Sequence, residues 1–258
     1  MDPSLGKCAE KTTLRDIKVV TPLWHDQTNP DGSGLFFDIV RTVYAPVGIT
    51  MTYDFVPWKR AKKMVGANLA DAMLCIWKED AGRERLLLPR YPLFVEFPAV
   101  VFKADAIPDW QGIASLNEKR VLWLLGYDYH LSRQFKDIRF KVWHEVRTRD
   151  RALLLLESGR YDACIDALID MKKELAINGS DPAPFRLEVL QGEKSYVGFA
   201  RTLKSQRLMA IYDHRIQELL RSGVLKRIFE KWNATFEPDA WQAWRQASDG
   251  EIKRIKGP

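Results

Sequence analysis

Two stretches of this chain follow one plan. Arg60-Ala61 is followed eleven residues on by Asp71-Ala72 and an apolar run, and Arg151-Ala152 is followed eleven residues on by Asp162-Ala163 and another. A helix, a turn and a buried strand used twice in 258 residues point to two lobes built alike, each of about 100 residues. The surroundings of the first unit fit this plan. Asp16 to Thr21 reads as a short strand, Asn29-Pro30-Asp31-Gly32-Ser33-Gly34 is turn chemistry, and Leu35 to Val47 carries apolar residues at helical spacing. Ile49 to Val56 alternates as a second strand, Pro57 opens a helix, and Asp71-Ala72-Met73-Leu74-Cys75-Ile76-Trp77 is apolar enough to be buried on both faces. Strands alternating with helices predict a mainly parallel sheet flanked by helices, with ligands held beyond the carboxyl ends of the strands.

The second lobe is expected to open after the apolar run ending at Phe102. There Lys103-Ala104-Asp105-Ala106-Ile107-Pro108-Asp109 breaks the pattern. Arg120 to Gly126 is its first strand, and Ser195 to Ala200 is a late strand that carries the chain back. Gln206 to Trp232 forms amphipathic helices that cap the first lobe. The expected division is therefore 14–102 with 198–245 as lobe one and 103–197 as lobe two. The ends 1–13 and 246–258 are expected to be flexible.

Composition excludes several functions. The formal charge of +6 is spread along the chain without a basic stripe, so no nucleic-acid partner is expected. His25, His130, His144 and His214 are scattered, and Cys8, Cys75 and Cys164 lack paired spacing, so neither a metal nor any other cofactor is expected. Cys75 and Cys164 lie in apolar runs and read as buried small hydrophobes. Phosphate-binding and nucleophile-elbow motifs are missing. No apolar run reaches the roughly 18 residues of a membrane span, and Met1 to Arg15 is polar, so any export signal is expected to have been removed.

Binding-site materials instead gather at expected strand ends: Trp24, Trp58, Trp77 with Asp80 and Arg83, Tyr127, and Asp166. Indole and phenol rings offer apolar walls with a polar edge, and a guanidinium grips a carboxylate with two hydrogen bonds.

Several segments in order resemble the family 3 extracellular solute-binding proteins, the polar amino-acid receptors of ABC transporters. They are Gly34-Leu35-Phe36-Phe37-Asp38-Ile39-Val40, Asp71-Ala72-Met73, and Gly82-Arg83 with Tyr91-Pro92-Leu93-Phe94. Three more follow in Leu116-Asn117-Glu118-Lys119-Arg120-Val121, Gly159-Arg160-Tyr161-Asp162-Ala163, and Arg221-Ser222-Gly223-Val224 with Lys231-Trp232. The resemblance runs from Asp16 to Trp232, and Pro57-Trp58-Lys59-Arg60-Ala61 looks like a divergent branch. It implies a two-lobed α/β periplasmic-binding-protein fold of type II, with two hinge crossings. Arg83 stands where the family clamps a ligand carboxylate, Trp58 near its aromatic lid, and Trp24 near a second aromatic.

Two departures bear on the ligand. Asp80 replaces the family's threonine three residues before the arginine, and Ala167 stands where the family has the acid that receives an ammonium, with Asp166 one position early. A shift of one residue along a strand turns a side chain to the other face. The implied function is a periplasmic receptor, not an enzyme. As a monomer it closes on a small, carboxylate-bearing ligand such as an amino acid, and delivers it to an ABC permease or a sensor kinase. The alternatives are a cyclohexadienyl-dehydratase-like enzyme, with Glu79, Asp80 and Asp166 as its acids, and a periplasmic sensor module.

Overall fold

The computed structural model describes residues 14–177 and 185–241. Cys8 and the two chain ends for which flexibility is expected, 1–13 and 246–258, lie outside the described residues. The chain begins with β1 (Asp16–Thr21), α1 (Leu35–Tyr44), β2 (Thr50–Phe55), α2 (Trp58–Gly66), β3 (Ala72–Trp77), α3 (Lys78–Arg83) and β4 (Phe94–Glu96). It continues with β5 (Pro98–Lys103), β6 (Arg120–Leu124), β7 (Val142–Val146), α4 (Arg149–Glu157), β8 (Ala163–Ala167), α5 (Leu168–Ile177) and β9 (Phe185–Val189). β10 (Glu193–Phe199), α6 (Leu203–Arg221) and α7 (Val224–Lys231) complete it.

The strands form two five-stranded sheets, ordered β2-β1-β3-β10-β4 and β7-β6-β8-β5-β9. The expected parallel pairing holds in one half of each sheet, from β2 through β1 to β3 and from β7 through β6 to β8. The other half is antiparallel, so both sheets are evenly mixed where mainly parallel ones were expected. In each sheet the first antiparallel neighbour is a strand that directly follows a crossing between the sheets, and this reverses its direction.

The crossings differ from the sequence boundaries by one strand. β5 belongs to the second sheet, paired with β8 and β9, and β10 belongs to the first, paired with β3 and β4. The chain therefore crosses at Phe97 and again over 190–192, not after Phe102 and Val197. The apolar run in β5 marks a strand buried on both faces inside the second lobe, and the break at Lys103 is the turn at its far end.

The internal echo is structural. α2 leads into β3 and α4 into β8, each the middle strand of its sheet. Asp71 accepts a hydrogen bond from the Lys18 amide at 2.8 Å and donates its own amide to the Lys18 carbonyl at 3.0 Å. Asp162 repeats both contacts on Arg120, at 2.7 and 2.9 Å. Each aspartate thus ties the start of the middle strand to its parallel neighbour and satisfies two backbone groups that the ladder leaves open. Ala61 and Ala152, at matching helix positions, are both buried. α6 and α7 pack on α1 through Leu208, Tyr212, Leu225 and Phe229, closing the first lobe as expected.

Candidate functional site

A cavity of about 510 Å3, counted to its mouth, lies between the lobes. Its wall follows the carboxyl ends of the parallel strands. Trp24 and Gln27 come after β1, Trp58 after β2, and Cys75, Trp77 and Asp80 from the end of β3 and α3. Tyr127 and Tyr129 come after β6, and Ala167, Ile169 and Asp170 from the end of β8 and α5. β4 adds Phe94 and Glu96 from beside the first crossing.

The aromatic side chains form a belt across both lobes. Trp24 lies 5.7 Å from Trp58 between ring centres, Trp58 6.2 Å from Tyr127, Tyr127 6.1 Å from Tyr129, and Tyr129 5.5 Å from Trp77. The Trp24 indole donates to the Tyr127 hydroxyl at 3.1 Å, so the belt is also hydrogen-bonded from lobe to lobe. Burial drives the Tyr127 phenol far above its ordinary range, leaving it a neutral hydroxyl.

Irregular backbone positions two of these groups. Cys75 has φ of 62°, a left-handed conformation inside β3, where the pairing with β10 shifts register between Tyr196 and Gly198. This is a bulge, the device by which a strand re-aims side chains. Gly198 is required opposite it, because a Cβ there would meet Ile76 Cγ2 at 2.8 Å. Cys75 and Cys164 are both buried free thiols.

Carboxylates carry the polar side of the wall. Asp80 is held by Arg83, and Asp170 accepts from Arg149 Nη2 at 2.8 Å. Asp80 is the third residue of α3 and Asp170 the third of α5, so the repeated plan presents one acid from each lobe. Glu96 differs from both. It accepts from Trp77 Nε1 at 3.2 Å and Cys75 Sγ at 3.6 Å, both at Oε2, and the ionised groups acting on it are the carboxylates Asp166 and Asp170. Burial above all, with those two negative charges, pushes Glu96 up to about 8 from 4.5. Asp170 is also raised, because its burial outweighs the pull of Arg149. No lysine or arginine lines the cavity among the described residues.

Of the seven residues expected at the site, Trp24, Trp58, Trp77, Asp80 and Tyr127 line this cavity together. Arg83 and Asp166 do not. Arg83 is engaged with Asp80, lies partly exposed at the rim, and reaches the Leu131 carbonyl of the second lobe at 3.5 Å. Asp166 is buried behind the wall, where Arg149 Nε meets it at 2.6 Å, while its neighbour Ala167 faces the cavity. This is the flip that a one-residue shift produces on a strand.

Sequence reasoning missed Glu96, Asp170, Phe94 and Tyr129. The repeat misses Asp170 by one residue, since Asp80 stands nine after Asp71 and Asp170 eight after Asp162, β8 being one residue shorter than β3. No motif marks Glu96, whose place depends on the strand that ends at the crossing.

No protein-family model matches the chain, and no curated protein sequence matches it. Solved structures do. A histidine kinase sensor domain with similarity to periplasmic binding proteins superposes with a TM-score of 0.69 at 18% identity, covering 88% of this chain and 99% of that one. An ancestral arginine-binding protein bound to arginine gives 0.67 at 17%, covering 85% and 99%. An ancestral amino-acid-binding protein, a precursor of cyclohexadienyl dehydratase, gives 0.64 at 14%, covering 84% and 95%. These likenesses show that the fold is the two-lobed one of periplasmic binding proteins. Among the described residues, no helix is long and apolar enough to cross a membrane.

Proposed function

We propose that this chain is an extracytoplasmic solute-binding receptor that captures a small ligand of the amino-acid class or a related amine between its lobes. The closed form is then presented to a membrane partner, an ABC permease or a sensor kinase. The observation that carries this reading is the cavity itself. Both lobes contribute to its wall at the carboxyl ends of their strands, and among the described residues the chain passes between the two sheets only at Phe97 and 190–192. Closing such a hinge buries a ligand on all sides, and contacts made only in the closed form drive the closure. Trp24, Trp58, Trp77, Asp80 and Tyr127 are the proposed contact residues. Arg83 orients Asp80, and Arg149 with Asp166 holds Asp170.

A thermal-shift screen of amino acids, small carboxylates, polyamines and sugars, paired with small-angle scattering, tests the reading. A ligand at about 100 times its Kd should stabilise the folded chain by roughly 2.7 kcal/mol, several degrees in Tm, and make it more compact. A chain that no compound stabilises or compacts is not a receptor of this kind.

Glu96 also supports a second reading. A carboxyl that keeps its proton to about pH 8 in the cavity wall can serve as a general acid, which an enzyme of the dehydratase type requires. Incubation with prephenate or arogenate separates the two. The receptor reading expects no turnover, and turnover abolished by Glu96→Gln would establish the enzyme.

A further inference from the structure

We propose that the group this cavity recognises is a cation, the ammonium or guanidinium of a small organic amine, and that a ligand carboxylate is dispensable. This rests on the receptor reading and concerns the chemistry of the same site. Three observations carry it.

The first is the balance of charge. Asp80, Glu96 and Asp170 line the cavity, Asp166 stands behind Ala167, and no cationic side chain lines the wall among the described residues. Two guanidiniums lie nearby, and both are occupied: Arg83 by Asp80, and Arg149 by Asp166 together with Asp170. Asp80, Asp166 and Asp170 share the two guanidiniums, and Lys173, which also acts on Asp170, is engaged by Asp26, so the site is short of positive charge even with Glu96 protonated.

The second is the state of Glu96. Asp80 and Asp170 have cationic partners, whereas Glu96 has only the Trp77 indole and the Cys75 thiol, both on Oε2. Oε1 has no hydrogen-bond partner among the described residues. A carboxyl held between aromatic walls without a counter-charge keeps its proton, and an ammonium or guanidinium at Oε1 would replace that proton with a permanent positive charge.

The third is the nature of the remaining wall. Trp24, Trp58, Trp77, Tyr127 and Tyr129 present aromatic rings around the space, and ring faces attract organic cations most strongly where water is excluded. An anionic carboxylate finds neither a free guanidinium nor a cluster of donors here. Arg83 could serve it only by releasing Asp80.

The test compares amino acids with the amines formed by removing their carboxylate: arginine with agmatine, lysine with cadaverine, and tyrosine with tyramine. Glutamate and succinate serve as anionic controls. Binding to the intact chain is measured by titration calorimetry above pH 8, where Glu96 is ionised. At least one amine should bind within about threefold of its parent amino acid or more tightly, because the wall offers a ligand carboxylate no free cation to offset the cost of burying it. Glu96→Gln should weaken that amine by roughly tenfold or more, the worth of a charge-assisted hydrogen bond, and Arg83→Ala, which leaves the Asp80 carboxylate without its counter-charge, should not abolish its binding. If only carboxylate-bearing members bind, or the anionic controls bind, and Arg83→Ala abolishes binding, the inference falls while the receptor stands. If no compound of any class binds, the receptor reading falls and takes the inference with it. The amine and amino-acid comparison uses the unsubstituted chain, so it decides the matter even where a variant folds poorly.

Discussion

Glu96 ties the chemistry of the cavity to its pH response. The folded chain keeps the proton up to about pH 8, whereas an unperturbed glutamate loses it near 4.5, so the folded state binds more protons across that window. Stability therefore falls as pH rises through it, by up to about 1.4 kcal/mol per unit. Glu96→Gln cannot ionise, and its stability should gain on the parent progressively from pH 4.5 to 8, by a few kcal/mol at most at the upper end, seen as a growing difference in Tm. Parallel Tm curves for the two proteins would show that Glu96 is not held neutral. The ionisable groups acting on Glu96 are Cys75, Asp166 and Asp170, and Tyr129 lies close enough to feel its charge. The two thiol and phenol groups are pushed upward by burial and stay neutral through the window. In sequence, Glu96 was illegible because nothing periodic or motif-like surrounds it. The tryptophans were legible because they stand where readable strands end, the place at which sheets of this kind hold ligands.

At the scale of elements, the helix, turn and Asp-Ala strand unit was readable because it is local: the apolar period, the turn and the aspartate all lie within about twenty residues of one another. The crossings were misplaced by one strand because the pairing of β5 and β10 depends on partners far away in sequence, and an apolar run does not say which sheet it joins. The bulge in β3 was unreadable for the same reason. Two substitutions test these elements. Asp162→Ala removes the bracket on Arg120, leaves the Arg120 amide without its acceptor, and should cost about 1–3 kcal/mol by denaturant unfolding. Gly198→Ala places a methyl group 2.8 Å from Ile76 Cγ2 and 3.0 Å from Leu86 Cδ1, in a strand buried between neighbours. Overpacking there should cost about 1–3 kcal/mol and shift the bulge that aims Cys75 and Trp77, so ligand affinity should fall along with stability. A Gly198→Ala protein with parental Tm and affinity would mean that the β3 bulge does not depend on close approach at this point.

At the scale of the whole molecule, the lobes hold each other through a reciprocal pair of lysines. Lys62 of α2, in the first lobe, donates to Asp128 at 2.9 Å and to the Gly126 carbonyl at 3.2 Å, in the loop after β6. Lys173 of α5, in the second lobe, bonds Asp26 and the His25 carbonyl, in the loop after β1. Both receiving loops follow the first strand of the parallel half of their sheet, β1 and β6, and both aspartates adopt left-handed backbone, with φ of 62° at Asp26 and 47° at Asp128. The repeated plan thus gives each lobe an acceptor loop and a donor helix, and closure engages the two pairs from opposite sides. These contacts exist only when the lobes meet, so they bias the closed form without touching the ligand. Lys62 is the stronger of the two, because its side chain is 4% exposed while that of Lys173 is 29% exposed. Lys62→Met keeps the apolar stem against Trp58 and removes the charge. The unliganded chain should then open, with a larger radius of gyration by scattering. The apparent ligand affinity should fall by about three- to tenfold, since it scales with the fraction of closed molecules. Lys173→Met should do the same more weakly. Unchanged dimensions and affinity in Lys62→Met would assign closure to the other ties between the lobes: the pairs of Lys173 with Asp26 and of Lys59 with Glu145, and the aromatic belt with its hydrogen bond from Trp24 to Tyr127.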